Sequence, residues 1–206
     1  MKYNTLNSRI DRPFFSSQSL QLAKLLVFNY QLTAWTKKNY IKQLKRGIYY
    51  FTDRKNDLTP QEVSHLIYEP SYISLESALS YYGLIPEIVH SITAVTSKTN
   101  RRFSNDFGYF IYRHIKPSLF FGYKSIKTKY GKYLMAEPEK ALLDYLYLNS
   151  GRINNKTDIL ELRLNFEIFN DIIESIKLFS YLEHYQSKKL NQLINLILKQ
   201  CKPTNS

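Results

Sequence analysis

The chain has 206 residues, 44% of them apolar, enough to bury a core and to exclude a disordered tail. Lys and Arg number 29 against 17 Asp and Glu, and the formal net charge of +12 points to a polyanion, either nucleic acid or an anionic surface. No apolar run approaches the roughly 20 residues of a membrane span, the opening Met-Lys-Tyr-Asn-Thr lacks a signal-peptide core, and one cysteine, Cys201, leaves no internal disulfide or cysteine-cluster zinc site. These features describe a cytoplasmic protein with no membrane contact.

Residues 13–58 read as helix, turn, helix, strand. Ser16 or Ser17 can cap a first helix to about Val27, with Leu22, Leu25, Leu26 and Phe28 on its buried side. A second helix is expected from Thr33 or Thr36 to Arg46, ended by Gly47. Ile48-Tyr49-Tyr50-Phe51 has strand character, and a polar turn with Arg54 and Lys55 follows. Thr59-Pro60-Gln61-Glu62 is a capping box with proline at the first helical position, opening a short helix to about Tyr68. It marks a boundary between an N-terminal unit over 1–58 and a second one over 66–206.

Ser74 is expected to cap a helix Leu75–Tyr82 stopped by Gly83. Strands are expected at Ile92–Thr96, Gly108–Ile115 and Leu119–Lys127, with Lys132–Ala136 a fourth, separated by turn residues. From Glu137-Pro138 the pattern is helical to the end, with Ala141, Leu142, Tyr145, Leu146 and Leu148 as the first apolar stripe. The fold class is therefore α+β: an N-terminal winged helix-turn-helix, then a mixed domain with a small antiparallel sheet and C-terminal helices.

Charge is unevenly placed. Residues 1–58 hold 11 basic and 3 acidic side chains, 59–97 hold 4 Glu and no Lys or Arg, 98–133 hold 9 basic and 1 acidic, and the remainder is balanced. On a helical wheel of the second helix, Ile41, Ala34, Lys37, Leu44 and Ile48 share the packed side. Trp35, Thr36, Asn39, Lys42, Gln43 and Arg46 lie opposite, with Lys38 and Lys45 on the flank. Amides and cations on one helix face suit a major groove, where Asn and Gln pair with adenine and Arg and Lys with guanine or phosphate. Thr36, Lys38 and Asn39 are the expected base readers; Lys42, Lys45 and Arg46 are better placed for phosphates. Trp35 is either a wedge on the DNA backbone or packing between helices. Arg54 and Lys55 would extend the wing, and Arg101-Arg102, in a turn-rich stretch, can grip phosphates.

Three stretches carry a family resemblance. They are Lys45-Arg46-Gly47-Ile48-Tyr49, then Tyr72-Ile73-Ser74-Leu75-Glu76-Ser77-Ala78-Leu79 followed by Tyr82-Gly83-Leu84-Ile85-Pro86-Glu87, and Ala136-Glu137-Pro138-Glu139-Lys140-Ala141-Leu142-Leu143-Asp144. With them the chain resembles the AbiEi abortive-infection antitoxins of type IV toxin–antitoxin pairs. The resemblance implies a repressor that binds inverted repeats in its own promoter. It also implies antagonism of a nucleotidyltransferase toxin without a stable complex. It implies no enzymatic activity and no cofactor. The residues themselves suggest structural roles for Ser74 and Ser77, as a cap and a small buried contact, and helix-surface positions for Glu76, Glu139 and Asp144.

Two other functions fit less well. A second domain that sequesters the toxin directly would show as co-purification. A metal-dependent nuclease would draw on Asp106, Glu137, Glu139 and Lys140, but Glu137-Pro138-Glu139-Lys140 lacks the acid-x-lysine spacing. The four His stand at least 24 residues apart and have no metal-ligand spacing.

Overall fold

Helix α1 (Tyr3–Arg9) opens the chain and buries Leu6; strand β1 (Phe14–Ser16) and helix α2 (Ser17–Leu22) follow directly. The structure, a computed structural model, describes residues 1–87, 89–153 and 156–201. Ser16 caps α2 as expected: its hydroxyl accepts from Ser19 N at 2.9 Å, and the Ser19 hydroxyl accepts from Ser16 N at 2.9 Å. The helix stops five residues short of Val27. Lys24 takes the left-handed conformation (φ 55°), and Leu25 N reaches back to Leu20 O, a C-terminal motif that normally uses glycine. Leu22, Leu26 and Phe28, expected inside, are therefore exposed (79%, 75% and 55%), while Leu20 is buried.

The second helix differs more. Helix α3 spans Asn29–Lys37, not Thr33 or Thr36 to Arg46. Asn39 is left-handed (φ 56°), and Tyr40 N bonds Trp35 O while Asn39 N bonds Thr36 O. That double bond closes the helix, with asparagine standing where glycine is commoner. Residues 41–45 are instead strand β2 (Ile41–Lys45), joined to β3 (Ile48–Phe51) through the two-residue loop Arg46-Gly47. Gly47 is thus a hairpin residue at φ 83°, not a helix stop. The three strands form an antiparallel sheet ordered β1-β3-β2. Leu6, Phe15, Leu20, Leu32, Trp35, Ile41 and Phe51 fill the space between this sheet and α1–α3.

After a 3-10 turn (Thr52–Asp57), helix α4 (Pro60–Ile67) starts on the expected capping box: Thr59 Oγ1 accepts from Glu62 N at 3.2 Å and Glu62 Oε2 from Thr59 N at 2.9 Å. Then come β4 (Ser71–Ile73), α5 (Leu75–Tyr81, closed by Gly83 at φ 72°), β5 (Ser91–Thr96), β6 (Arg101–Asn105) and β7 (Gly108–His114). A 3-10 turn (Pro117–Leu119) leads to β8 (Tyr123–Lys127), β9 (Lys132–Ala136) and α6 (Pro138–Asn149). Helices α7 (Lys156–Glu161), α8 (Phe166–Ile172), α9 (Ser175–Tyr185) and α10 (Lys188–Cys201) complete the described chain.

The second sheet has six strands in the order β6-β7-β5-β4-β9-β8. It is mixed, not antiparallel: β5 and β7 pair in parallel, as do β4 and β9. Its two faces build two cores. Ala94 and Val95, neighbours on β5, point to opposite sides as the two-residue period requires. Val95 joins α5, α6 and the C-terminal helices. Ala94, Phe110 and Tyr112 meet Val63 and Ile67 of α4 together with Leu44, Tyr50 and Leu58 from the N-terminal part. The proposed cut between 58 and 66 therefore passes through a shared apolar cluster.

The helix-surface readings of Asp144 and Glu139 do not hold. Asp144 is fully buried and accepts from Tyr72 Oη (2.9 Å), Ser74 Oγ (2.9 Å), Tyr185 Oη (2.6 Å) and the buried Lys140 ammonium one helical turn away. Ser74 sits at the start of α5, but its hydroxyl is spent on Asp144, not on a cap. Lys140 Nζ also lies 5.0 Å from the ring centroids of Phe121 and Tyr185, and burial pushes its pKa below the ordinary lysine value, Asp144 opposing. Glu139 accepts from Glu174 N at 3.0 Å. Ser77 has the structural role expected of it, bonding Ser91 O and accepting from Thr93 N. The resemblance motifs thus tie α6 to β4, α5 and α9 from inside.

Candidate nucleic-acid interface

The side chains of α3 divide cleanly. Leu32 and Trp35, three apart, point into the N-terminal core. Tyr30, Thr33, Ala34 and Lys37, at i, i+3, i+4 and i+7, form one exposed stripe on the other side. Phe28 and Tyr30 stack at its N-terminal end, with centroids 5.8 Å apart and ring planes at 9°. The β2–β3 hairpin carries Lys45 beside its turn and Arg46 in it, with Arg46 exposed. Lys37, Lys38, Lys45 and Arg46 have no ion-pair partner among the described residues.

The residues expected to read DNA scatter over several elements. Trp35 is 7% exposed, with its ring edge-on to Tyr3 at 5.9 Å, so it packs the core. Thr36 is exposed and donates to Leu32 O at 2.9 Å, as Thr33 does to Asn29 O at 3.0 Å. Lys38 and Asn39 close α3 and are exposed; the Asn39 carbonyl accepts from Thr52 Oγ1. Gln43 is exposed on β2. Lys42 is held in a 2.6 Å ion pair with Asp106 of the β6–β7 turn, which Tyr50 Oη also bonds at 2.6 Å. Those hydrogen bonds, Lys42's first, hold the Asp106 carboxyl below its ordinary pKa. Arg54 clamps the entry to β1 by donating to Ile10 O at 2.8 Å and to Asp11 O. Arg54 thus serves the backbone, while the Lys42–Asp106 pair stays partly exposed.

Lys55 is exposed and lies 5.4 Å over the Phe107 ring. Arg101 and Arg102 are exposed on edge strand β6, not in a turn. Arg101 lies four residues, about 13 Å along the strand, from Asn105, which bonds Leu44 O. Ala34 and Lys37, assigned to a packed face, are exposed. The sequence signal for the correct frame was present: Leu32 and Trp35 at helical spacing, then Asn39, then Arg46-Gly47 between two β-rich runs.

Among the described residues no group of three or more His, Cys, Asp or Glu could hold a metal ion. No protein-family model matches the chain, and no curated protein matches it.

Proposed function

We propose that the chain is a winged helix-turn-helix DNA-binding protein that reads duplex DNA with the exposed stripe of α3 and grips the backbone with the β2–β3 wing. On its motif resemblance to the AbiEi antitoxins, it acts in the cytoplasm as a non-enzymatic antitoxin. It represses its own operon at inverted repeats and counteracts a nucleotidyltransferase toxin without stable binding. The observation that carries the reading is one of order. Elements α1, β1, α2, α3, β2 and β3 follow one another around a β1-β3-β2 sheet, an order that supports a winged helix, and α3 and the hairpin tip carry cations with no ion-pair partner among the described residues.

Tyr30, Thr33 and Ala34 supply apolar and hydroxyl contacts to base edges, including the thymine methyl group. Lys37, Lys38, Lys45 and Arg46 supply phosphate contacts, which set affinity more than sequence. The test is a shift assay on DNA upstream of the gene. Tyr30→Ala or Thr33→Ala should reduce preference for that DNA over random duplex by about 1–3 kcal/mol. Lys37→Glu and Arg46→Glu should weaken both alike. Unchanged affinity in all four variants would sink the proposal. Expression with a neighbouring nucleotidyltransferase reading frame tests the antitoxin role: rescue of growth without co-purification is expected, and a stable complex would replace antagonism by sequestration.

A further inference from the structure

On the side of the N-terminal sheet away from the wing strand lies a cleft of about 580 Å³, within the roughly 300–1,000 Å³ of small-molecule sites. Three separate elements wall it. Arg12 and Phe14 come from the entry to β1, His65 from α4, and Lys127, Tyr130 and Lys132 from the β8–β9 hairpin. Since the sheet order is β1-β3-β2, β1 and β2 are its opposite edges, two strand spacings or about 10 Å apart.

The lining has a marked division of chemistry. Arg12, Lys127 and Lys132 are exposed cations with no ion-pair partner among the described residues. The one carboxylate in the wall, Glu62, is turned to its own helix start, where it accepts from Thr59 N and Oγ1. Phe14 and Tyr130 give flat apolar surface. Cations flank both rings: the Arg54 guanidinium lies 5.7 Å and the Lys129 ammonium 4.8 Å from the Tyr130 ring centroid, and the Arg12 guanidinium 6.0 Å from that of Phe14. His65 Nε2 pairs with Glu69 at 3.0 Å, and the ring also has a backbone hydrogen bond at Ser71.

We infer that this cleft binds a small organic phosphate with a flat ring, of the size of a mononucleotide. The ring lies against Phe14 and Tyr130, and the phosphate meets Arg12, Lys127 and Lys132. Arg12 offers the planar fork suited to phosphate, and the lysines act as point charges. Because the site lies on the β1 edge and uses neither the α3 stripe nor the wing tip, it stands or falls independently of the DNA-reading proposal.

Calorimetric titration of the full chain with adenosine and uridine 5′-monophosphates tests it, with adenosine and inorganic phosphate as controls. At least one nucleotide should bind saturably in the millimolar range or tighter, with both controls about tenfold weaker. Lys132→Glu and Lys127→Glu, at exposed positions that leave the fold intact, should each weaken nucleotide binding about tenfold or more. Arg46→Glu on the wing should leave it unchanged. Failure of both nucleotides to saturate, or equal binding by the lysine variants, overturns the site. So does inorganic phosphate binding as tightly as the nucleotides. Displacement of the nucleotide by duplex DNA, with duplex binding lost in the same lysine variants, would assign these cations to a DNA backbone and also overturn it.

Discussion

Asp106 does more at the level of single residues than its exposed position suggests. It takes hydrogen bonds from Lys42 and Tyr50, both at 2.6 Å, and so joins the β6–β7 turn to β2 and β3. Its pKa is lowered in the fold, so its contribution is present above the ordinary carboxylate pKa of about 4 and is lost as pH falls through the lowered value. Asp106→Asn should speed amide exchange at Leu44 and Tyr50 at neutral pH with little change in overall stability, since the pair is partly solvated. Unaltered exchange would show that the ion pair holds nothing. Asp144 is the opposite case. Asp144→Ala would leave the Lys140 ammonium buried without its carboxylate and should cost about 3–5 kcal/mol in denaturant unfolding. A loss below about 1 kcal/mol, the scale of an exposed pair, would contradict the buried network.

At the scale of elements, two short signals decide the local structure. Thr59→Ala removes one side of a reciprocal cap and should cost about 1 kcal/mol; a neutral effect would mean that packing of α4 alone sets its start. Gly47→Ala meets no atom closer than Ser17 Oγ at 4.0 Å, yet φ is 83°. It should therefore destabilise by about 1 kcal/mol through backbone strain, and a stabilising effect would contradict the hairpin geometry. These elements also mark how far the sequence could be read. The capping box at Thr59, the α5 stop at Gly83, the start of α6 at Pro138 and the strands at β5, β7 and β9 follow from local chemistry. The stretch 33–46 misled because Ile41 and Leu44 sit three apart, a spacing that fits one helix face, whereas on β2 they face opposite sides and enter different cores, Ile41 the N-terminal one and Leu44 the one shared with the larger sheet. Asn39 in the left-handed region settled the matter, and asparagine signals that conformation less strongly than glycine. Lys24 ended α2 in the same way with still less warning. The burial of Asp144 and Lys140 was not legible, because a charged pair at i, i+4 has the same spacing on a surface and in a core.

For the molecule as a whole, the two basic blocks proved unlike. In the first, Lys42 and Arg54 bond to other parts of the fold, while Lys37, Lys38, Lys45 and Arg46 have no ion-pair partner among the described residues. In the second, Lys98 donates to Glu69 O and Arg113 to Leu148 O and Asn149 Oδ1, so part of that block also holds the sheet in place. The apolar cluster shared by Leu44, Tyr50, Leu58 and the larger sheet fixes the direction in which the α3 stripe faces, and a fragment ending at residue 58 should unfold at lower denaturant than the full chain. The proposed contact of α3 and the β2–β3 hairpin with a duplex is tested most directly by salt-dependent binding of the full chain to DNA upstream of its gene. With about six phosphates neutralised, affinity should fall roughly a thousandfold between 50 and 200 mM salt, and Lys37→Glu with Arg46→Glu should flatten that dependence. A wild-type affinity indifferent to salt, or a double variant with the same slope, would contradict it.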